Sequence, residues 1–167
     1  MLTVNFAVEG FDYFVDNSNL LGHFVRLEFL CDGVADSLFI KFFALFENNK
    51  QLEGGVAAVL TSSGQAANFF SLINILGAGD HFISAATIYG GTFNLFNVTM
   101  RKMGIEFTFV DPDCSDEELE KAFRPNTKAV FGETIANPAL TVLDIEKFAK
   151  AAHAHGVPLI IDNTFAT

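Results

Sequence analysis

Hydrophobic and polar positions follow a regular pattern from residue 52 onward. Short apolar runs rich in β-branched and aromatic residues are typical of buried strands, and apolar positions three or four residues apart are typical of helices. The pattern predicts strands at 56–60, 81–85, 105–110, 128–132 and 157–161. Between them it predicts helices at 66–76, 89–103, 115–123 and 144–155.

Helix-terminating and helix-starting residues support these boundaries. Gly77, Gly104 and Gly156 follow predicted helices, where glycine readily adopts the left-handed conformation that ends a helix. Ser115 and Glu118 have the spacing of a capping box. Because strands and helices alternate at short spacing, we expect an α/β fold of three layers, a mostly parallel sheet with helices on both faces. Such sheets bind ligands beyond the carboxyl ends of their strands.

Composition narrows the possible partners and compartment. The chain carries 20 acidic and 10 basic residues, a net charge of −10. A nucleic-acid-binding protein normally has a basic surface, so this balance argues against one. No apolar run approaches the length of a membrane span, and no basic signal-like segment opens the chain. Cys31 and Cys114 form no metal or disulfide motif. We therefore expect a cytoplasmic protein with no nucleic-acid or membrane partner.

One small-residue turn is a candidate anion site. Ser63, Gly64 and Gln65 lie between a predicted strand and a helix start, where free backbone N–H groups and the helix dipole favour an anion. A tight turn with a serine cap is the alternative interpretation. The chain contains no Gly-x-x-x-x-Gly-Lys-Ser/Thr motif, and the Gly77-Ala78-Gly79 segment lacks the third glycine of a dinucleotide-binding fingerprint.

Polar and aromatic residues follow three other predicted strands. Tyr89 comes shortly after one of them, and its ring can stack on a planar ligand, although taken by itself the residue is better explained as an ordinary helix start. Asn137 precedes a proline, and it can bind a ligand or form an Asx-type turn. Asp162 ends an otherwise apolar strand, either as a site residue that could pair with a protonated pyridine nitrogen or as a helix cap.

Taken together, these segments resemble the Cys/Met-metabolism enzymes that depend on pyridoxal 5′-phosphate (PLP). The resemblance runs through six ordered segments, at 52–55, 61–67, 89–96, 109–112, 133–138 and 162–167. The run that begins at Tyr89-Gly90-Gly91 is most similar to the O-acetylhomoserine sulfhydrylase branch. Cystathionine γ-synthases, cystathionine γ-lyases and methionine γ-lyases are close relatives of that branch.

The resemblance implies a role for each candidate residue. The resemblance implies that the backbone N–H groups of Gly64 and Gln65 donate to the PLP phosphate, and that Ser63 lies in the same phosphate-binding turn. Tyr89 would stack on the pyridine ring, and Asn137 would bind the ring oxygen. Asp162 would pair with the ring nitrogen. Thr164, in the Asp162-Asn163-Thr164 segment, is also assigned to cofactor binding.

The resemblance also implies a reaction, a γ-replacement that converts O-acetylhomoserine and sulfide to homocysteine and acetate. The Schiff-base lysine of the family falls in a segment beyond Thr167, so we expect no catalytic lysine here and an inactive chain. The alternative functions are an inactive PLP-binding, phosphate-binding or subunit-interaction fragment, or a relative of cystathionine γ-synthase, cystathionine γ-lyase or methionine γ-lyase. Family members are usually homotetramers that act on small amino acids.

The first 51 residues differ in amino-acid composition from the rest of the chain. They hold nine of the 20 phenylalanines, and a helix is possible at 37–51. The Tyr-x-Arg segment that the family carries ahead of Leu52 would fall near 34–36, where neither residue type is present. We therefore expect a divergent N-terminal segment at 1–51 and a partial PLP-binding large domain at 52–167.

Overall fold

The computed structural model describes residues 59, 61 and 63–166. The predicted segment 1–51, the helix at 37–51 and, except for Val59, the strand at 56–60 lie outside these residues. Residues 63–166 belong to one compact unit. No helix in this described part of the chain is long and apolar enough to span a membrane.

The described sheet has four parallel strands in the order β2-β1-β3-β4. The strands are β1 (His81–Ala85), β2 (Glu106–Val110), β3 (Thr127–Glu133) and β4 (Leu159–Asp162). Glu133 pairs with Asp162 in the register of β3 and β4. Two carboxylates therefore end adjacent strands at the carboxyl edge of the sheet.

The helices are α1 (Gly64–Ile73), α2 (Gly90–Asn94), α3 (Asp116–Ala122) and α4 (Ile145–Ala154). A π-helical segment, Leu95–Met100, continues directly from α2. The α1 helix begins two residues before its predicted start because the Ser63 side chain accepts a hydrogen bond from the Ala66 N–H. Ser115 and Glu118 form the predicted capping box at α3, and both Gly104 and Gly156 have the positive φ of a helix end.

Alternating strand residues bury two separate apolar clusters. Phe82, Phe131 and Ile160 pack with residues of α1 and the π-helical segment. Their neighbours Ile83, Val130 and Ile161 pack with residues of α3 and α4. Because adjacent side chains on a strand point to opposite faces, helices cover both faces of the sheet. The predicted three-layer α/β fold is confirmed.

Candidate functional site

The start of α1 presents free backbone donors. Ser63 Oγ accepts from the Ala66 N–H at 3.1 Å, which satisfies one of the N–H groups of the first turn. The N–H groups of Gly64 and Gln65 precede the first intrahelical donor and have no acceptor within the helix. These donors and the positive end of the helix dipole favour an anion. The serine cap and the anion site, posed as alternatives by the sequence, are thus compatible.

Gln65 connects α1 to the start of α2. Its Nε2 donates to the Gly91 carbonyl oxygen at 3.0 Å. Tyr89 is the N-cap residue of α2 and is 53% exposed. Its ring lies against Gly91, where an added Cβ atom would stand 2.5 Å from Tyr89 Cε1. An exposed aromatic ring is therefore held close to the turn at 63–65.

Glu133 joins the Tyr89 and Asn137 segments. The Tyr89 N–H donates to Glu133 Oε1 at 2.7 Å, and the Asn137 N–H donates to Oε2 at 3.4 Å. Burial raises the pKa of the Glu133 carboxyl, and the nearby Asp162 charge adds to this, while the two N–H donors oppose it. One buried side chain therefore connects the Tyr89 and Asn137 segments, which the sequence predicted as two separate candidate sites.

Asn137 is half-buried and follows β3. Its peptide bond to Pro138 is cis. Among the described residues, the side-chain amide forms no Asx-type hydrogen bond to the backbone, which leaves it available to a ligand.

Asp162 is a buried carboxylate held by three donors. Its Oδ1 accepts from the Thr164 N–H at 3.0 Å and from Thr164 Oγ1 at 2.5 Å. Its Oδ2 accepts from Asn68 Nδ2, on α1, at 3.0 Å. A carboxylate offers about four lone-pair positions, so these three bonds leave Oδ2 able to accept one more donor. The Thr164 bonds resemble a cap, while the Asn68 bond connects the carboxylate to α1, the helix that begins at the candidate anion site.

The structure brings the predicted residues together through these contacts. Gln65 reaches the Tyr89 loop, Glu133 links that loop to Asn137, and Asn68 links α1 to Asp162. The predicted candidates therefore share the carboxyl edge of the sheet. Their roles toward a ligand remain predictions.

Sequence reasoning did not identify three further members of this cluster, Asn68, Thr92 and Glu133. Asn68 Nδ2 donates to Thr92 Oγ1 at 3.2 Å as well as to Asp162. A signal for Asn68 is present, because it shares a helical stripe with Leu72 and Leu76, both buried and apolar. Glu133 ends an apolar strand as Asp162 does, so the same criterion would have found it.

The fold and this cluster define an α/β protein with free N–H donors at a helix start, an exposed aromatic ring and a buried carboxylate at one sheet edge. The chain belongs to the Cys/Met metabolism PLP-dependent enzyme family, whose model matches residues 42–167. The resemblance stated from the sequence is confirmed.

Curated relatives and solved structures agree with this assignment. The chain is 51% identical over 124 residues to an O-acetyl-L-homoserine sulfhydrylase of Corynebacterium glutamicum, covering 74% of this chain and 28% of the relative. It is 46% identical over 121 residues to a homocysteine/cysteine synthase of Saccharomyces cerevisiae, covering 72% and 27%. The chain thus spans little more than a quarter of the length of these relatives.

A solved structure of a Campylobacter jejuni protein described as an O-acetylhomoserine (thiol)-lyase matches with a TM-score of 0.71 and 40% identity, covering 74% of this chain and 30% of that chain. It was crystallised with N′-pyridoxyl-lysine-5′-monophosphate. An O-acetylhomoserine sulfhydrylase of Wolinella succinogenes matches with a TM-score of 0.68 and 37% identity, covering 72% and 34%.

The described residues fit the cofactor that the family description names. A phosphate needs N–H donors, which Gly64 and Gln65 supply, and a planar ring needs a face such as that of Tyr89. A protonated ring nitrogen needs an anionic acceptor, and Asp162 Oδ2 retains the capacity for one further donor. The site offers these groups on adjoining elements.

Proposed function

We propose that this chain forms part of the PLP site of an O-acetylhomoserine sulfhydrylase, which converts O-acetylhomoserine and sulfide to homocysteine and acetate. The observation that carries the proposal is the Asp162 carboxylate, buried, held by three donors and tied to the α1 helix. The family and the named relatives support the reaction class.

In this proposal each residue binds or orients one part of the cofactor. The N–H groups of Gly64 and Gln65 hold the phosphate, and Ser63 keeps the helix start in place by capping Ala66. The Tyr89 ring covers one face of the pyridine ring. Asn137 donates from its side-chain amide to the ring oxygen.

The Asp162 carboxylate controls the electronic property on which the reaction depends. When bound, PLP supplies an electron sink for negative charge that develops on the substrate carbon atoms. Asp162 holds a proton on the ring nitrogen by placing a negative charge beside it, and Thr164 fixes the orientation of that carboxylate through Oδ1. The protein thereby keeps the ring able to accept electrons.

The proposal extends to substrate, assembly and compartment. The substrate is a small amino acid, the whole enzyme is a homotetramer, and it acts in the cytoplasm without a nucleic-acid or membrane partner. The net charge of −10 supports the absence of a nucleic-acid or anionic-membrane partner.

A titration tests the site directly. We expect the full chain to bind PLP saturably, followed by visible absorbance, and to bind 4′-deoxypyridoxine 5′-phosphate, which keeps the ring nitrogen and phosphate but has no aldehyde to react with lysines. Inorganic phosphate should compete with both ligands. Borohydride reduction and peptide mapping identify any lysine that PLP labels. If the deoxy analogue does not bind and PLP labels many lysines, the proposed site is wrong.

Two adjacent glycines offer a matched test of the Tyr89 ring position. Gly91→Ala places a Cβ atom 2.5 Å from Tyr89 Cε1, so the ring must move. We expect about two- to tenfold weaker binding of the deoxy analogue, since aromatic stacking contributes roughly 0.5–1.5 kcal/mol. Gly90→Ala is the control, because a Cβ atom there meets nothing within 4 Å. Equal loss in both variants would contradict the assigned role of the ring.

A further inference from the structure

Asn68 is a polar residue on the buried stripe of α1. It is only 2% exposed, and the next residue on the same stripe, Leu72, is fully buried. An apolar side chain at this position would extend the packing of the helix against the sheet. The asparagine therefore requires an explanation other than packing.

The Asn68 amide has one orientation that its surroundings permit. Its Nδ2 donates to Thr92 Oγ1 and to Asp162 Oδ2, while Oδ1 is buried with no hydrogen-bonding partner among the described residues. A rotated amide would place Oδ1 against the Asp162 carboxylate, where two acceptors repel each other. An unpaired buried oxygen is destabilising. The arrangement therefore favours contact with the carboxylate at the expense of the amide's own oxygen.

The two oxygens of Asp162 are held from different parts of the chain. Thr164 holds Oδ1 from two positions further along, whereas Asn68 holds Oδ2 from a helix 94 positions earlier. Thr164 contacts only Oδ1, so its bonds alone leave the carboxylate free to rotate about Oδ1. The Asn68 bond to Oδ2 prevents this rotation. The remaining acceptor position of the carboxylate lies on Oδ2.

We propose that Asn68 is a positioning residue that orients Asp162 Oδ2 toward the cofactor ring nitrogen. This inference rests on the proposed PLP site and adds to it a residue that touches neither the cofactor nor the substrate. Thr92 assists by accepting the second Nδ2 proton, which keeps the amide from rotating.

Asn68→Leu and Asn68→Asp separate positioning from packing. The leucine variant removes the donor while keeping the branched shape of the side chain, and the aspartate variant replaces the donor by an acceptor. We expect both to bind 4′-deoxypyridoxine 5′-phosphate about tenfold more weakly than the parent chain, with affinity for inorganic phosphate unchanged. In the leucine variant, the bound ring should lose its proton at lower pH, which ring absorbance reports. Ser84→Ala is the control, because it removes another buried hydroxyl, which donates to the Ala85 carbonyl oxygen.

A measurement without ligand tests the contact itself. The side-chain ¹H–¹⁵N resonances of Asn68 in the cofactor-free chain should shift in Asp162→Asn and stay unchanged in Ser84→Ala. If the parent chain binds the analogue but Asn68→Leu binds it equally well with the same ring titration, the inference is wrong and the proposed site stands. If the parent chain binds no analogue, the proposed site and this inference both fail. Unchanged Asn68 resonances in Asp162→Asn would overturn the contact.

Discussion

Asp162→Asn is expected to weaken the binding of 4′-deoxypyridoxine 5′-phosphate by about 10- to 150-fold, because a hydrogen bond to a charged group contributes roughly 1.5–3 kcal/mol. The substitution keeps the size of the side chain and removes its charge. A titration by absorbance at constant ionic strength measures the loss. Affinity for inorganic phosphate should not change, since the N–H groups of Gly64 and Gln65 remain.

The same substitution should leave the free energy of unfolding of the cofactor-free chain nearly unchanged. Once the charge is gone, the Asn68 amide can rotate and turn its unpaired Oδ1 toward the new amide at position 162. The rotated Oδ1 can also accept from the Thr92 hydroxyl, and Nδ2 then takes the place of Oδ1 as the unpaired group, so the number of unpaired buried atoms does not rise. Asp162→Ala is the contrasting variant, because it leaves the Asn68 and Thr164 donors unpaired and should destabilise the chain. Equal analogue affinity in Asp162→Asn and the parent chain would refute the role of the charge.

The predicted elements match the structure where short-range signals decide them. The strand at 81–85 has the predicted bounds, and α3 has the predicted capping box, since both depend on neighbouring residues. The predicted single helix at 89–103 is wrong in detail, because the backbone widens into a π-helical segment at Leu95–Met100. Apolar spacing does not distinguish an α-helical from a π-helical segment over six residues.

The candidate site also contains residues that the local sequence pattern predicts and residues that it does not. Asp162 was recognisable as a candidate because it ends an apolar strand, and Asn137 because it follows another strand and precedes a proline. Asn68 was not, since its partner Asp162 is 94 positions away and the contact exists only once α1 packs beside β4. Residues that join a candidate site only through such packing are therefore harder to predict than those that end or follow a strand.

His81 shows the same limit away from the site. No neighbouring residue in the sequence indicates a hydrogen-bonding partner for this histidine, yet it is fully buried at the start of β1. Its Nδ1 contacts Thr127 Oγ1 at 2.8 Å and its Nε2 contacts Thr108 Oγ1 at 2.9 Å. Burial lowers the pKa of His81 to about 4 from an ordinary value of 6.5; the Arg124 charge adds to this and Glu106 opposes it.

Acidification from pH 6.5 to pH 4 is therefore expected to remove up to about 3 kcal/mol of stability through His81. In this window the unfolded chain binds a proton at His81 and the folded chain does not, so the free energy of unfolding falls as pH falls. Denaturant unfolding of the full chain at several pH values measures the slope. His81→Asn should flatten it, whereas His153→Asn, at an exposed position on α4, should leave it unchanged.

Glu133 acts in the opposite direction and provides a second check on the sign. Burial raises the pKa of the Glu133 carboxyl in the folded chain above its value in the unfolded chain. Because the folded chain then binds a proton at Glu133 more readily, acidification through the range between these two pKa values favours folding. Glu133→Gln should therefore steepen the loss of stability on acidification, and His81→Asn in that background should remove the part of the loss that His81 causes. A slope that Glu133→Gln makes shallower, or that His81→Asn leaves intact, would show that other groups control the acid response.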